Sequence, residues 1–215
     1  MSVFVVMEGT DGSGTTTQGN LLATALRAAG IEVLRTREPS DGPIGVLIRQ
    51  GLRGEWRHRP GAEQVALLFA ADRVDHCQVE IDPALQTGTA VICDRYLGSS
   101  LAFQVVDGAG GIDAAWLLAA NRFARVPHLT IWLDVPVALA LERIDARGIP
   151  RERFEVEDTL RAVRERYEGL WRSPPPRLGP VVRIDGSGTI EQVHARVVAA
   201  LQDHWPQMPP SMRST

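Results

Sequence analysis

Eight residues near the start of the sequence, Gly9-Thr10-Asp11-Gly12-Ser13-Gly14-Thr15-Thr16, have the spacing G-x-x-x-x-G-K-[ST] at every position except the lysine. Glycines so spaced let backbone N–H groups turn toward a phosphate, and the helix that follows adds the partial positive charge of its N-terminus. Thr16 holds the hydroxyl position that binds Mg²⁺ in such loops. By spacing alone the run also fits an ordinary glycine-rich turn. Thr15 stands where a lysine would reach the β- and γ-phosphates. A hydroxyl donates one hydrogen bond but brings no charge, and phosphoryl transfer relies on positioning and electrostatic stabilisation. The chain contains no lysine; all 23 of its Lys+Arg residues are arginine, a bias that coding composition explains as readily as function.

Other polar clusters could complete such a site. Asp94-Arg95-Tyr96 follows the apolar run Val91-Ile92-Cys93. An aspartate at a strand end can hold metal-bound water, and an arginine there can span two phosphates bidentately. A purely structural Asp–Arg pair is the competing reading, weakened by Ser99, Ser100 and Gln104 just downstream. Arg37-Glu38-Pro39 precedes Gly42-Pro43-Ile44-Gly45 and Arg49. In Leu67-Leu68-Phe69-Ala70-Ala71-Asp72-Arg73, Phe69 and Arg73 are four apart and share a helix face. A stacking ring beside an in-plane donor suits a nucleobase. Taken alone, Phe69 fits the core better than a platform, and Arg73 could equally pair with Asp72 on the surface.

The elements that must position these clusters alternate. Val3–Met7, Ile31–Thr36, Val91–Asp94, Leu129–Asp134 and Val181–Asp185 read as short buried strands separated by helical segments. Leu21, Leu22, Ala25 and Leu26 repeat at helical spacing after the glycine-rich loop, and Ala29-Gly30 ends that helix. Such alternation predicts an α/β fold, a five-stranded parallel sheet covered on both faces in three α/β/α layers. Sites in such folds lie at the carboxyl ends of the strands, where Glu8–Thr17, Arg37–Asp41 and Asp94-Arg95-Tyr96 all fall. Arg147–Glu157 is rich in charge and reads as a loop between helices. Ser173-Pro174-Pro175-Pro176 reads as a linker, and Pro206–Thr215 as a disordered tail.

Composition limits the classes of function. With 215 residues, 44% of them hydrophobic, the chain suits one domain, expected over residues 1–205 with a lid near 143–157. A formal net charge of −3 argues against a generally basic nucleic-acid binder. No apolar run approaches the roughly 20 residues of a membrane span, and no signal peptide is evident. Cys77 and Cys93 read as buried thiols, and a cytoplasmic location is expected.

Taken together, Glu8-Gly9-Thr10-Asp11-Gly12, Arg37-Glu38-Pro39, Leu68-Phe69-Ala70-Ala71-Asp72-Arg73, Asp94-Arg95-Tyr96, Ser100-Leu101-Ala102-Phe103-Gln104 and Arg153-Phe154-Glu155 resemble the motifs of bacterial thymidylate kinases, from Phe4 to about Leu201. The resemblance implies a P-loop nucleoside monophosphate kinase that uses ATP and Mg²⁺ to convert dTMP to dTDP. It implies that Gly9 to Thr17 bind ATP, that Asp11 contacts the sugar 3′-hydroxyl, and that Phe69 stacks on the base while Arg73 hydrogen-bonds it. Arg37 and Arg95 would grip the acceptor phosphate, with Arg95 also near the transferred group. Ser100 and Gln104 would line the acceptor pocket, and Asp94 with Thr16 would serve the metal. The loop carries no arginine, whereas Arg143, Arg147, Arg151 and Arg153 crowd the lid, so the chain resembles the members that draw a catalytic arginine from the lid. Arg151 and Arg153 are the candidates, with Arg143 stacking on adenine. The family commonly forms homodimers. Two departures stand out: Thr15 for lysine, and Pro39-Ser40-Asp41-Gly42-Pro43 for the usual Pro-Gly-Gly-Thr-Pro. They leave open a different acceptor, or a nucleotide-binding module without chemistry.

Overall fold

The structure, a computed structural model, describes residues 2–58, 60–109, 111–148 and 154–208. Its centre is β1 (Phe4–Gly9), whose six residues are all buried. Around it lie β2 (Val33–Arg37), β3 (Ala90–Asp94), β4 (Leu129–Asp134) and β5 (Val181–Asp185), in the order β2-β3-β1-β4-β5 with every pairing parallel. The five expected strands are the five observed. Boundaries moved where charge interrupts the apolar run: β1 continues through Glu8 to Gly9, and β2 begins at Val33.

Side chains alternate across this sheet and build a core on each face. Val5 and Met7 join Leu22 and Leu26 of α1 (Thr15–Ala28), together with Ile131, Leu133, Val197 and Leu201. Phe4 and Val6 point the other way, toward Val91, Cys93, Tyr96, Leu101 and Leu117. Covered on both faces, the strands can be apolar throughout, which is why they read as continuous hydrophobic runs.

The second face is covered by α3 (Ala62–His76), which follows α2 (Pro43–Leu52). α3 runs on through a π-helical turn, Cys77–Ile81. A second π-helical turn, Ser100–Gln104, interrupts the helical stretch after β3. Such turns re-aim side chains within a helix and are frequent at functional sites.

Helix Val137–Asp145 and helix Glu157–Arg172 flank the arginine-rich stretch, of which residues 149–153 lie outside the described residues. Pro176–Leu178 forms a 3₁₀ turn before β5. Cys77 and Cys93 are buried and free. Among the described residues no helix is long and apolar enough to cross a membrane.

The segment expected to be disordered from Pro206 begins differently. After helix Ile190–His204, Trp205 (6% exposed) and Met208 (1%) fold back into the core on the α1 face. Met208 is buried despite the prolines on either side of it, and residues 209–215 of the expected tail lie outside the described residues. Met208→Ala is therefore expected to cost about 2 kcal/mol of unfolding free energy by urea titration. An unchanged midpoint would contradict the burial.

Candidate active site

The loop after β1 is shaped by what its glycines leave out. Gly12 and Gly14 adopt φ of +77° and +95°, in the left-handed region, and a Cβ on Gly12 would come 2.4 Å from the Ala140 carbonyl oxygen. Gly9 packs as closely, since a Cβ there would meet Ser13 Oγ at 2.4 Å and the Leu133 oxygen at 2.9 Å. The Ser13 amide closes the turn onto the Thr10 carbonyl at 3.1 Å. Arg143 braces it from outside, its Nη2 donating to Gly186 O at 3.0 Å and its Nη1 reaching Ser13 O at 3.3 Å. Residues 10–18, with Arg95, Arg143 and Arg147, line a cavity of about 450 Å³ at the N-terminus of α1.

Thr15 is 6% exposed, while the Thr16 hydroxyl donates to Asp94 Oδ2. The other carboxylate oxygen, Asp94 Oδ1, is buried without a partner. A hydroxyl beside a carboxylate with one unpaired buried oxygen fits Mg²⁺, which binds through one or two protein oxygens plus phosphates and water. No cluster of three or more His, Cys, Asp or Glu among the described residues forms an all-protein metal cage.

Arg95 joins this loop to β3. Its φ is 66°, in the left-handed region where non-glycine residues are uncommon, and its amide donates to Met7 O at 2.8 Å. The guanidinium donates to Gly9 O and, at 2.6 Å, to Asp11 Oδ1, and it lies 5.1 Å from the centre of the Phe103 ring. Burial opposes its charge, but the adjacent Asp11 carboxylate outweighs this and raises its pKa above the ordinary arginine value. Arg95 is thus a permanent cation at the loop's mouth.

A second cavity, about 210 Å³, opens on the other side of the same pair and is lined by Phe69, Arg73, Ser100, Phe103, Gln104 and Phe154, among others. Asp11 and Arg95 line both cavities. Arg73 is not on the surface. Its side chain is 1% exposed, paired with Glu38 Oε2 at 2.6 Å, and donates to Asn121 Oδ1 at 2.5 Å and Ser100 Oγ at 3.0 Å. Asp72 turns away from Arg73 and accepts from the Ser40 hydroxyl and amide at 2.6 and 2.8 Å. Phe69 is half-buried in the pocket wall, not in the core. Gln104 is 6% exposed, and its Oε1 has no partner. The π-helical turn Ser100–Gln104 brings Ser100 and Gln104 into this wall together.

One expected residue sits elsewhere. Arg37 is exposed and paired with Asp41 at 2.9 Å, outside both sets of lining residues. Arg143 supports the loop carbonyls. Arg151 and Arg153 lie outside the described residues, whereas Arg147 lines the phosphate cavity and pairs with Glu155.

Sequence reasoning gave no role to Glu8. It is 1% exposed, and its carboxylate accepts from the Tyr96 amide at 3.0 Å, the Ser99 hydroxyl at 2.6 Å and the Tyr167 hydroxyl at 2.9 Å. One side chain of β1 thereby holds the loop after β3 and the helix Glu157–Arg172. The available signal was a charged residue inside an apolar strand. Glu38 was likewise only part of a motif, and its partnership with Arg73 was invisible in sequence.

The chain matches the family model described as "Thymidylate kinase" over residues 7–197. It is 43% identical over 203 residues to a "Probable thymidylate kinase" of Pyrococcus horikoshii, covering 93% of this chain and 95% of that protein. A "Thymidylate kinase" of Thermomicrobium roseum is 44% identical over 183 residues, covering 82% and 85%. A "Thymidylate kinase" of Xanthomonas oryzae is 38% identical over 201 residues, covering 94% and 85%.

Burial raises the Glu8 pKa above its ordinary value, against the opposing hydrogen bond from Ser99 and the nearby charge of Arg95. For a carboxylate raised in the folded state, its contribution is fully present below the unfolded pKa and is lost as pH rises through the folded one. Glu8→Gln should therefore gain stability relative to the parent as pH is raised from about 4 to about 8, read by thermal melting. A difference that stays flat over that range would contradict the shift.

Proposed function

The chain belongs to the thymidylate kinase family, and on that premise we propose that it transfers the γ-phosphoryl group of ATP to dTMP, giving ADP and dTDP. The observation that carries this reading is the Asp11–Arg95 pair, at 2.6 Å, in the wall shared by a phosphate-loop cavity and a nucleobase-sized pocket. A donor phosphate in one and an acceptor phosphate in the other would meet at that pair. Holding two reactants in line removes much of the entropic barrier to their reaction.

The roles follow from placement. Backbone N–H groups of Gly9 to Thr16 and the N-terminus of α1 cradle the donor phosphates. Arg95 stabilises the charge of the transferring group, with Arg147 and the lid residues Arg151 and Arg153 supplying further cations. Asp11 faces the acceptor sugar and holds Arg95. Phe69 stacks on the base, Arg73 and Gln104, whose Oε1 is unpaired, hydrogen-bond its edge, and Ser100 orients Arg73. Arg37 reaches the acceptor phosphate after giving up Asp41, an exposed partner worth little energy. Thr16 and Asp94 would hold Mg²⁺, which would supply positive charge against the donor phosphates.

A fixed guanidinium frame around a small pocket favours a flat pyrimidine over a larger purine. One domain, spanning residues 1–205, carries both cavities. Leu67 (53% exposed) and Val79 (69%) lie on or just beyond α3 and favour association of two copies through that face.

A second reading, nucleotide binding without chemistry, rests on Thr15. A steady-state assay with Mg²⁺–ATP and a panel of monophosphates separates them. ADP formation fastest with dTMP is the expected result. Tight dTMP binding without turnover would favour the second reading, and faster turnover with another acceptor would change the substrate. Arg95→Ala is expected to lower kcat by about 10²–10³-fold, the scale of losing one charge-stabilising donor. A loss under tenfold would remove Arg95 from the chemistry.

A further inference from the structure

Arg35 is a cation that the proposed chemistry leaves unused. It projects from β2 on the α1 face, its side chain only 16% exposed, and its Nη2 lies 3.4 Å from Asp94 Oδ2. The rest of the guanidinium is tied down. Nε donates to Asn20 Oδ1 at 3.1 Å, and Nη1 donates to Thr36 O and, at 3.4 Å, to Ile92 O. α1 makes room for it at one position. A Cβ on Gly19 would come 2.8 Å from Arg35 Nη2 and 3.0 Å from its Cζ. Glycine is unfavourable inside a helix, and here it leaves a slot for the guanidinium.

Asp94 is the carboxylate at the candidate metal position. Its Oδ2 receives the Thr16 hydroxyl and faces Arg35, while Oδ1 is buried and unpaired. We propose that Arg35 is a positioning residue for Asp94, holding one carboxylate oxygen and offsetting its charge so that the other is presented to the divalent cation. The arrangement matters more here because Thr15 brings no charge to the loop. An unbalanced Asp94 would stand beside donor phosphates with no loop lysine to offset it. Neither Arg35 nor Asp94 lines the phosphate cavity; Asp94 meets it through the Thr16 hydroxyl, and Arg35, one side chain further back, acts through Asp94. This inference rests on the phosphoryl-transfer reading of the site.

The test uses Mn²⁺ as a paramagnetic probe of the metal position, with binding to the enzyme–ATP complex followed by electron paramagnetic resonance. Arg35→Leu should weaken Mn²⁺ binding about tenfold or more, the usual scale for losing a residue that orients a metal ligand. Arg35→Lys should recover part of the loss, because it restores charge without the planar fork. Gly19→Ala displaces the guanidinium but keeps its charge in the chain, so Mn²⁺ binding should weaken severalfold while far-UV circular dichroism shows the fold retained. Binding of dTMP, measured separately by calorimetry, should be unchanged in all three. If Arg35→Leu and Gly19→Ala both retain parental Mn²⁺ affinity, the inference is overturned. If the parent itself binds neither dTMP nor Mn²⁺–ATP, it is the underlying reading of the site that fails.

Discussion

Everything at the catalytic end hangs on the parallel register between β1 and β3, which sets Met7 opposite Asp94. From that pairing the Arg95 amide reaches the Met7 carbonyl at 2.8 Å, and its guanidinium reaches Gly9 O and Asp11. The same register lets Thr16, at the start of α1, touch Asp94. A slip of one residue would send Asp94 to the opposite face, because side chains alternate along a strand. The apolar residues on both faces forbid that slip, since Val5 and Met7 belong to one core and Phe4 and Val6 to the other. The geometry of the polar end is thus enforced by packing of the apolar strands beneath it.

Buried charges then stiffen that end. Glu8 fixes Tyr96, Ser99 and Tyr167, and Glu38 fixes Arg73. A buried ion pair contributes little net stability against apolar replacements, but removing one partner leaves an uncompensated charge at a cost of about 3–5 kcal/mol. Such groups impose geometry and add little net stability. Donors and rings held before substrate arrives need no reorganisation during transfer.

Electrostatics are distributed in an unusual way around the loop. It has no lysine at Thr15, and among the described residues the cations that line the phosphate cavity, Arg95, Arg143 and Arg147, come from just after β3 and from helix Val137–Asp145 and the residues just after it. Arg143 spends its donors on the carbonyls of Gly12, Ser13 and Gly186, which steadies the loop. An arginine can serve both as strut and as charge because its planar fork makes several directed bonds while staying ionised.

Sequence by itself determined the five strands, the three layers and the phosphate loop, because these depend on local signals: β-branched apolar runs, helical spacing and glycines ahead of a helix. It also grouped the polar clusters at one end of the sheet, since parallel strands leave all their carboxyl ends together. Only the tertiary structure decided which charged groups meet. Asp72 and Arg73 are adjacent in the chain yet bond to Ser40 and Glu38, on the loop after β2, because neighbouring helix residues point in different directions. Arg37, prominent in its motif, faces Asp41, whereas Arg35, two residues earlier on the same strand, points to Asp94. Met208 is buried despite the prolines around it, because long-range apolar contact outweighs local composition. Pairing across the sheet is a property of distance in space, and residues 59 positions apart, such as Arg35 and Asp94, leave no trace of it in spacing.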